Sequence, residues 1–394
     1  MDLHDRALAC PKCGDLLEVV IKPPKAEPEA LKQLWLTRRT SYASADASGV
    51  WRFRELLPDS YRESGIVTLS EGNTPLVRGF KTAAWAGIKQ LWFKHLGWNP
   101  TGSFKDLGMT AGMTEAKRSG AKAVACASTG NTAASLAAYA ARAGVAGRVY
   151  LPIGQASNNK LAQALDFGAD IIQIEGSFDD ALNRLLATSD PDLYFLNSIN
   201  PFRVEGQKTA IVEMLEQFGW RIPDYLFVPG GNLGNSSAFG KAFEELKRFG
   251  FIDRAPRMII VQAQGANPLA RMWRLGEHSL TPVAHPETVA TAIRIGNPRS
   301  WKKALNAVER TGGLVMDVTD EEIGEAKALI GKDGIGCEPA SATTLAGIRK
   351  LTASGKLDPD ATVAAILTGH ALKDTDYIMK THRKLISEEE AVTV

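Results

Sequence analysis

From about Lys122 onward the chain alternates short apolar runs with amphipathic stretches. AVACA is followed by NTAASLAAYAARAG, RVYLP, NKLAQALDFG, DIIQIEG, SFDDALNRLLA and YFLNSI. The short runs read as buried strands, and the longer stretches, with apolar residues three and four apart, as helices. The alternation resumes in GQKTAIVEMLEQFG, YLFVPGG, NSSAFGKAFEELKRFG and RMIIVQAQG, and again in SATTLAGIRKLTASG and TVAAILTGH. Strand and helix in turn predict an α/β fold with open, mostly parallel sheets and helices on both faces. At 394 residues the chain exceeds what one such sheet uses, which predicts two α/β domains. The first 60 residues break the pattern, with PPKAEPEA as a proline-rich hinge and few periodic segments. We therefore expect an N-terminal arm over 1–60, a large domain from 61–110 and 205–394, and a small domain over 111–204.

Composition narrows the partners. Hydrophobic residues make up 44% and charged residues 23%, as in globular proteins. Lys plus Arg (46) against Asp plus Glu (44) leaves +2, with the signs interspersed, so neither a nucleic-acid nor an acidic-membrane footprint is present. A small-molecule partner is expected. Cys10, Cys13, Cys126 and Cys337 are too few and scattered for a disulfide framework. MDLHDRALACPKCGD carries charges where a signal peptide has its apolar core, and no apolar run is long enough to cross a membrane. A cytoplasmic protein is expected.

In parallel sheets, ligands sit outside the carboxyl ends of the strands, so the strand-to-helix turns hold the candidate chemistry. VPGGNLGNSSAF (228–239) follows an apparent strand and opens a helix. Gly230, Gly231 and Gly234 let its backbone curl, and the helix start adds free N–H groups and a positive dipole end, a cradle for phosphate. Leu233 stands where G-x-G-x-x-G needs its second glycine and no G-K-[ST] triplet occurs, so the phosphate is not a nucleotide's. Plain turn-making explains the same glycines equally well. ACASTGNTAAS (125–135) offers Ser128, Thr129, Gly130, Asn131 and Thr132 together, more than one helix cap needs, at a helix start suited to a carboxylate. WNPTGSFKDLGMT (98–110) places Lys105 in a Thr-Gly-Ser turn before a helix. A surface charge is the commonest fate of such a lysine. The other is a partly buried amine of lowered pKa, poised for a Schiff base with a carbonyl.

Nine segments in order, SEGNTPL, NPTGSFKD, ASTGNTAAS, NSINPFRVEGQKTA, VPGGNLGN, RMIIVQAQGANPL, AIRIGNP, CEPASA and LTGHALKD, run from about Ser70 to Lys373. Together they resemble the threonine synthases among the fold-type-II pyridoxal-phosphate enzymes, and FKDLGMT, with Leu107, resembles the plant-type branch. The resemblance implies a pyridoxal 5'-phosphate cofactor in the large domain, joined to Lys105. Asn131 matches the residue that bonds the ring hydroxyl, and Thr368 the hydroxyl partner of the ring nitrogen. Gly231, Asn232, Leu233, Gly234 and Asn235 match the phosphate loop. Ser128, Thr129 and Thr132 match the substrate-carboxylate loop, and Asn200, Arg203 and Lys208 the substrate-phosphate cluster. The implied reaction is O-phosphohomoserine and water to L-threonine and phosphate, by γ-elimination and β-replacement in a homodimeric lyase. Thr368, a neutral hydroxyl, does not enforce a protonated ring as an aspartate would.

Some positions depart from that pattern. His95 and Leu96 stand where many members carry an acidic residue before the Asn-Pro-Thr-Gly turn. Plant-type members have a longer N-terminal region that senses S-adenosylmethionine, so the short arm implies no strong activation by that ligand. Cys10-Pro-Lys-Cys13 has the spacing of half a zinc ribbon, but no second pair follows, and no metal is expected. His370, Cys126 and Cys337 are assigned no catalytic role. Three readings compete: a cysteate-synthase-like or dehydratase paralogue, with GNLGN against the dehydratase; a non-catalytic cofactor-binding sensor, against which Lys105 counts; and a nicotinamide dehydrogenase, whose glycine fingerprint is missing.

Overall fold

The computed structural model describes residues 6–59, 61, 65–128, 130–153, 158–176, 178–188 and 190–382. The strands are β1 (Leu76–Arg78), β2 (Gln90–His95), β3 (Ala123–Ala127), β4 (Ala146–Pro152), β5 (Asp170–Ile174), β6 (Leu193–Phe195), β7 (Tyr225–Pro229), β8 (Arg257–Ala263), β9 (Leu314–Val318) and β10 (Thr362–Leu367). The helices are α1 (Pro28–Arg38), α2 (Ser44–Ala47), α3 (Lys81–Ala86), α4 (Lys105–Arg118), α5 (Asn131–Ala143), α6 (Asn158–Asp166) and α7 (Phe178–Leu186). They continue with α8 (Pro201–Gln217), α9 (Gly234–Arg248), α10 (Pro268–Leu275), α11 (Trp301–Arg310), α12 (Asp320–Lys332), α13 (Pro339–Ala353) and α14 (Thr375–His382).

The strands form two sheets, as the alternation predicts. One has the order β1-β2-β10-β7-β8-β9, parallel except for the antiparallel edge strand β1; the other, β5-β4-β3-β6, is parallel throughout. Both are buried on both faces, and the period of two sorts each strand between separate cores. In the larger sheet Leu226, Val228, Met258, Ile260, Ala364 and Ile366 face one core, while Phe227, Ile259, Val261, Val363, Ala365 and Leu367 face the other. In the smaller sheet Val124 and Cys126 pack toward α5, and Ala123, Ala125 and Ala127 toward α7.

The opening segment is less arm-like than its composition suggests. Pro28, read as part of the hinge, opens α1, where a missing N–H costs nothing. Leu31, Trp35, Trp51 and Phe53 are then buried in the same core as Met214 and Phe239. Trp35 stacks on Phe251 with ring centroids 5.2 Å apart. Sparse aromatic anchors at irregular spacing carry this packing, so no periodicity announces it.

Two helices join the sheets. The α4 and α8 backbones nearly touch because α8 presents Gly206, where a β-carbon would lie 1.8 Å from the Leu107 carbonyl oxygen. Gly108 and Gly112 on α4 leave room in turn for Arg203 and Gln207. Farther along α8, Glu213 pairs with the fully buried Lys94 of β2. The Lys94 ammonium also donates to the Thr74 carbonyl (2.7 Å) and the Gln217 side chain (2.9 Å), and Glu213 accepts from the Asn73 amide (2.8 Å). Lys94→Met strands the Glu213 charge and is expected to destabilise the fold by about 3–5 kcal/mol, most of it regained on adding Glu213→Leu. Thermal melts of both variants check this, and an unshifted single variant would show the pair to be energetically idle.

Candidate active site

Sequence motifs far apart in the chain meet at the carboxyl ends of β2, β3, β7 and β10. The turn after β2 is stitched to the end of β10 by three contacts. Phe104 N–H donates to the Thr368 carbonyl (2.9 Å), His370 N–H donates to the Gly102 carbonyl (2.9 Å), and Ser103 forms a bridge with Gly369. Gly102, at φ +82°, makes the reversal. Asp106 braces the same turn, accepting from the Thr101 amide (2.7 Å), the Thr101 hydroxyl (2.6 Å) and Ser135 of α5 (2.6 Å). Burial pushes its carboxyl up to about 6, against those bonds.

Lys105 becomes the first residue of α4, earlier than the helix read from the sequence. Its amine makes no hydrogen bond or ion pair among the described residues and lies 3.9 Å above the Phe104 ring. Desolvation lowers it to about 7; the Arg203 charge adds to that, and Glu338 opposes it. Such an amine is about half free base at pH 7, where an ordinary lysine is almost wholly protonated, and the free base is the form that attacks a carbonyl.

The 231–235 loop leaves backbone donors open. Leu233 sits in the left-handed region at φ 65°, and α9 starts immediately after it with open N–H groups. Gly231 packs on Ile293, where a β-carbon would come within 3.0 Å. Asn232 spends its side chain on scaffolding, donating to Ser198 (2.5 Å) and accepting from the Arg299 amide (2.7 Å). Both amide atoms of Asn235, the Ser236 hydroxyl, the Gln207 side-chain oxygen, and Nε and Nη2 of Arg203 are buried without a partner among the described residues. Each such orphan costs about 1–3 kcal/mol unless something polar meets it. Their concentration on the loop and the facing side of α8 fits a phosphorylated cofactor. Gln207 and Ser236 were not singled out from the sequence, although they adjoin Lys208 and Asn235 in its motifs.

The remaining predicted residues divide. Asn131, at the start of α5, and Thr368, at the end of β10, come together on one group, the Glu338 carboxylate (3.0 and 2.9 Å). Ser128 turns its hydroxyl to the Gly130 amide (3.2 Å), Thr132 lies in the first turn of α5, and Thr129 falls outside the described residues. Arg203 is buried, bonded once to the Leu196 carbonyl (3.1 Å), and burial lowers it to about 10. Asn200 is the N-cap of α8, accepting from Phe202 N–H (3.0 Å) and donating to the Phe195 carbonyl (2.9 Å). Lys208 is neutralised by Glu205 and Glu245 (2.6 Å each). Cys126 and Cys337 are buried thiols raised to about 12 by desolvation and are inert as nucleophiles at neutral pH. Cys10 and Cys13 lie in a turn at Gly14. Among the described residues no three or more His, Cys, Asp or Glu converge on a metal position.

Known proteins share this sequence and fold. Residues 67–369 match the pyridoxal-phosphate dependent enzymes. The threonine synthase of Methanocaldococcus jannaschii is 46% identical over 390 residues, 98% of this chain and 94% of that protein. The chain belongs to the threonine synthase family of pyridoxal-phosphate-dependent enzymes. Another family member, the threonine synthase of Methanosarcina acetivorans, is 46% identical over 94% of this chain and 89% of its own. The crystal structure of threonine synthase from Escherichia coli superposes with a TM-score of 0.71 at 17% identity, covering 97% of this chain and 88% of that one. In this family member the residues that would hold the cofactor are Lys105, Asn131, Thr368 and the 231–235 loop with Ser236.

The lowered amine pKa has a testable consequence. Incorporation of pyridoxal phosphate into cofactor-free protein is expected to slow about tenfold per pH unit below pH 7, where the amine is protonated, and to level off above it. Arg203→Gln removes one like charge and should move that break to higher pH. A profile unmoved by the substitution would show that Arg203 does not act on Lys105.

Proposed function

We propose that this chain converts O-phosphohomoserine and water to L-threonine and phosphate. The observation that supports this best is the pairing of two anion-receptive regions around one depressed amine. The loop with Asn235 and Ser236 takes the cofactor phosphate, and the orphaned N–H groups of Arg203 take a second phosphate on the substrate. Arg suits that task through paired, charge-assisted bonds. Asn200 and Lys208, expected in the same cluster, act here by holding α8 in place, through the cap and the buried charge pairs.

Bound pyridoxal phosphate supplies the electron sink for carbanions at the substrate's α- and β-carbons. Lys105, with its amine at about 7, takes and returns protons at those two carbons. Ser128, Thr129 and Thr132 would receive the substrate carboxylate, and Asn131 and Thr368 would orient the ring. The small sheet with its helices, over 111–204, is the unit that brings the carboxylate loop to the cofactor held by the large one. We take the working form to be a cytoplasmic homodimer. Exposed Trp98 and Leu372 beside the site support an apolar contact between copies, and among the described residues no helix is long and apolar enough to cross a membrane.

The test is product formation. O-phosphohomoserine should yield threonine and phosphate in equal amounts, and O-phosphoserine should not. Release from O-phosphoserine alone would replace this reading with that of a β-replacement paralogue. Lys105→Ala should abolish turnover and the cofactor's visible absorption while leaving the far-ultraviolet dichroism unchanged; retained turnover would sink the assignment.

A further inference from the structure

Glu338 lies within CEPASA with no role assigned to it, yet it is the group on which Asn131 and Thr368 converge. It precedes Pro339 at the start of α13, is 4% exposed, and its amide donates to the Gly369 carbonyl (3.0 Å). The place is made for it, since a β-carbon at Gly369 would lie 2.4 Å from the Glu338 carboxyl carbon. One carboxylate oxygen accepts from Asn131 and the other from Thr368. Lys105 of α4 and Lys373 beyond β10 are the cations that bear on it, and the Cys337 thiol adjoins it in the chain. Of the nearby histidines, His95 turns its Nε2 to the Gly336 carbonyl (2.8 Å), and the Nδ1 of His370 accepts from the Leu372 amide (3.2 Å).

Counting protons decides what Glu338 does. Ser341 Oγ accepts from the Thr368 amide (2.8 Å) and the Gly369 amide (3.3 Å), so its own proton goes to Thr368 Oγ1, 3.0 Å away. Thr368 therefore accepts from Ser341 and has one proton to give, which here goes to the Glu338 carboxylate. A hydroxyl that must instead donate to a ring nitrogen has no proton left for Glu338. An ionised carboxylate would then face a bare oxygen lone pair at 2.9 Å.

We propose that Glu338 is a proton-carrying positioning residue, which takes a proton from solvent as the cofactor binds and donates it to Thr368, freeing the Thr368 proton for the ring nitrogen. This inference rests on the cofactor site described above. The relay runs Glu338 to Thr368 to ring nitrogen, while the second carboxyl oxygen still accepts from Asn131, whose other amide N–H stays free for the ring hydroxyl. Burial of Glu338 raises its pKa, which favours the neutral form. A neutral hydroxyl at the end of β10 thus has an acid behind it, and the ring sees more than the hydroxyl alone.

The probe is pyridoxine 5'-phosphate, which keeps the ring nitrogen, ring hydroxyl and phosphate but has no aldehyde for Lys105. Its binding to cofactor-free protein is measured calorimetrically in two buffers of different ionisation enthalpy, giving the protons taken up. At a pH above the carboxyl's pKa, located by the break in the wild-type affinity profile, the wild type should take up about one proton more per site than Glu338→Gln, because the amide already donates to Thr368 and accepts from Asn131 as the neutral acid would. Wild-type affinity should fall about tenfold per pH unit above the carboxyl's pKa, a slope that Glu338→Gln flattens while binding within about threefold at low pH. Equal proton counts overturn the inference while leaving the cofactor site standing, whereas failure of the wild type to bind the probe overturns both. If Glu338→Gln does not fold, the wild type alone decides. A carboxylic-acid infrared band should appear on binding together with the proton uptake, and binding without either refutes the relay.

Discussion

The contact between α4 and α8 sets how the two cations of the candidate site, Lys105 and Arg203, face each other. It is a backbone contact, possible because Gly206 has no side chain to hold the Leu107 carbonyl away, with Gly108 and Gly112 clearing the flanks. That closeness puts the Lys105 amine at the head of one helix within reach of the Arg203 charge on the other. The two helices also span the sheets, so the same contact fixes how the small sheet's loops face the large sheet's phosphate cradle. A residue of ordinary size at Gly206 would separate the amine from the guanidinium and the two sheets from each other at once.

The amine sits in a field of opposed neighbours. Arg203 and loss of water drive its proton off, and Glu338 holds it on. Arg203 and Glu338 approach from different helices, α8 and the start of α13, so each is positioned independently of Lys105. A phosphate on Arg203 would cancel the charge that lowers the amine, and neutralising Glu338 would remove the charge that raises it. Changes of charge at the two ends of the site would therefore push the lysine's proton affinity in opposite directions.

Much of this was legible in the chain because local rules carried it. Strand alternation sorted the cores, and glycine and helix-start chemistry marked the turns at Lys105, Asn131 and Gly231. What escaped were facts that depend on partners distant in sequence. Lys208 looks like an anion ligand until Glu245, 37 positions later, is folded against it. Asn200 looks available until its oxygen is seen capping α8. Asn232 looks like a phosphate ligand, but its side chain reaches Ser198, 34 positions earlier. Glu338 was in plain view within CEPASA, yet a lone carboxylate between a cysteine and a proline carries no periodic or spacing signal. Only the folded chain shows that Asn131 at the start of α5 and Thr368 at the end of β10 both spend a proton on it.

The opening segment shows a last consequence, in time rather than space. Val19 accepts from Lys241, Leu17 from Lys303 (2.8 Å), and Ile21 from Arg248 (3.2 Å), partners that lie 222, 286 and 227 positions along the chain. Arg6 reaches instead to the carbonyls of Ser119 (2.8 Å) and Pro191 (2.6 Å) on the small-sheet side. During synthesis these residues leave the ribosome before any of the surfaces that receive them exist. Residues 17–21 therefore lack these partners until α9 and α11 have been made, and residues 6–21 lie across both halves of the molecule.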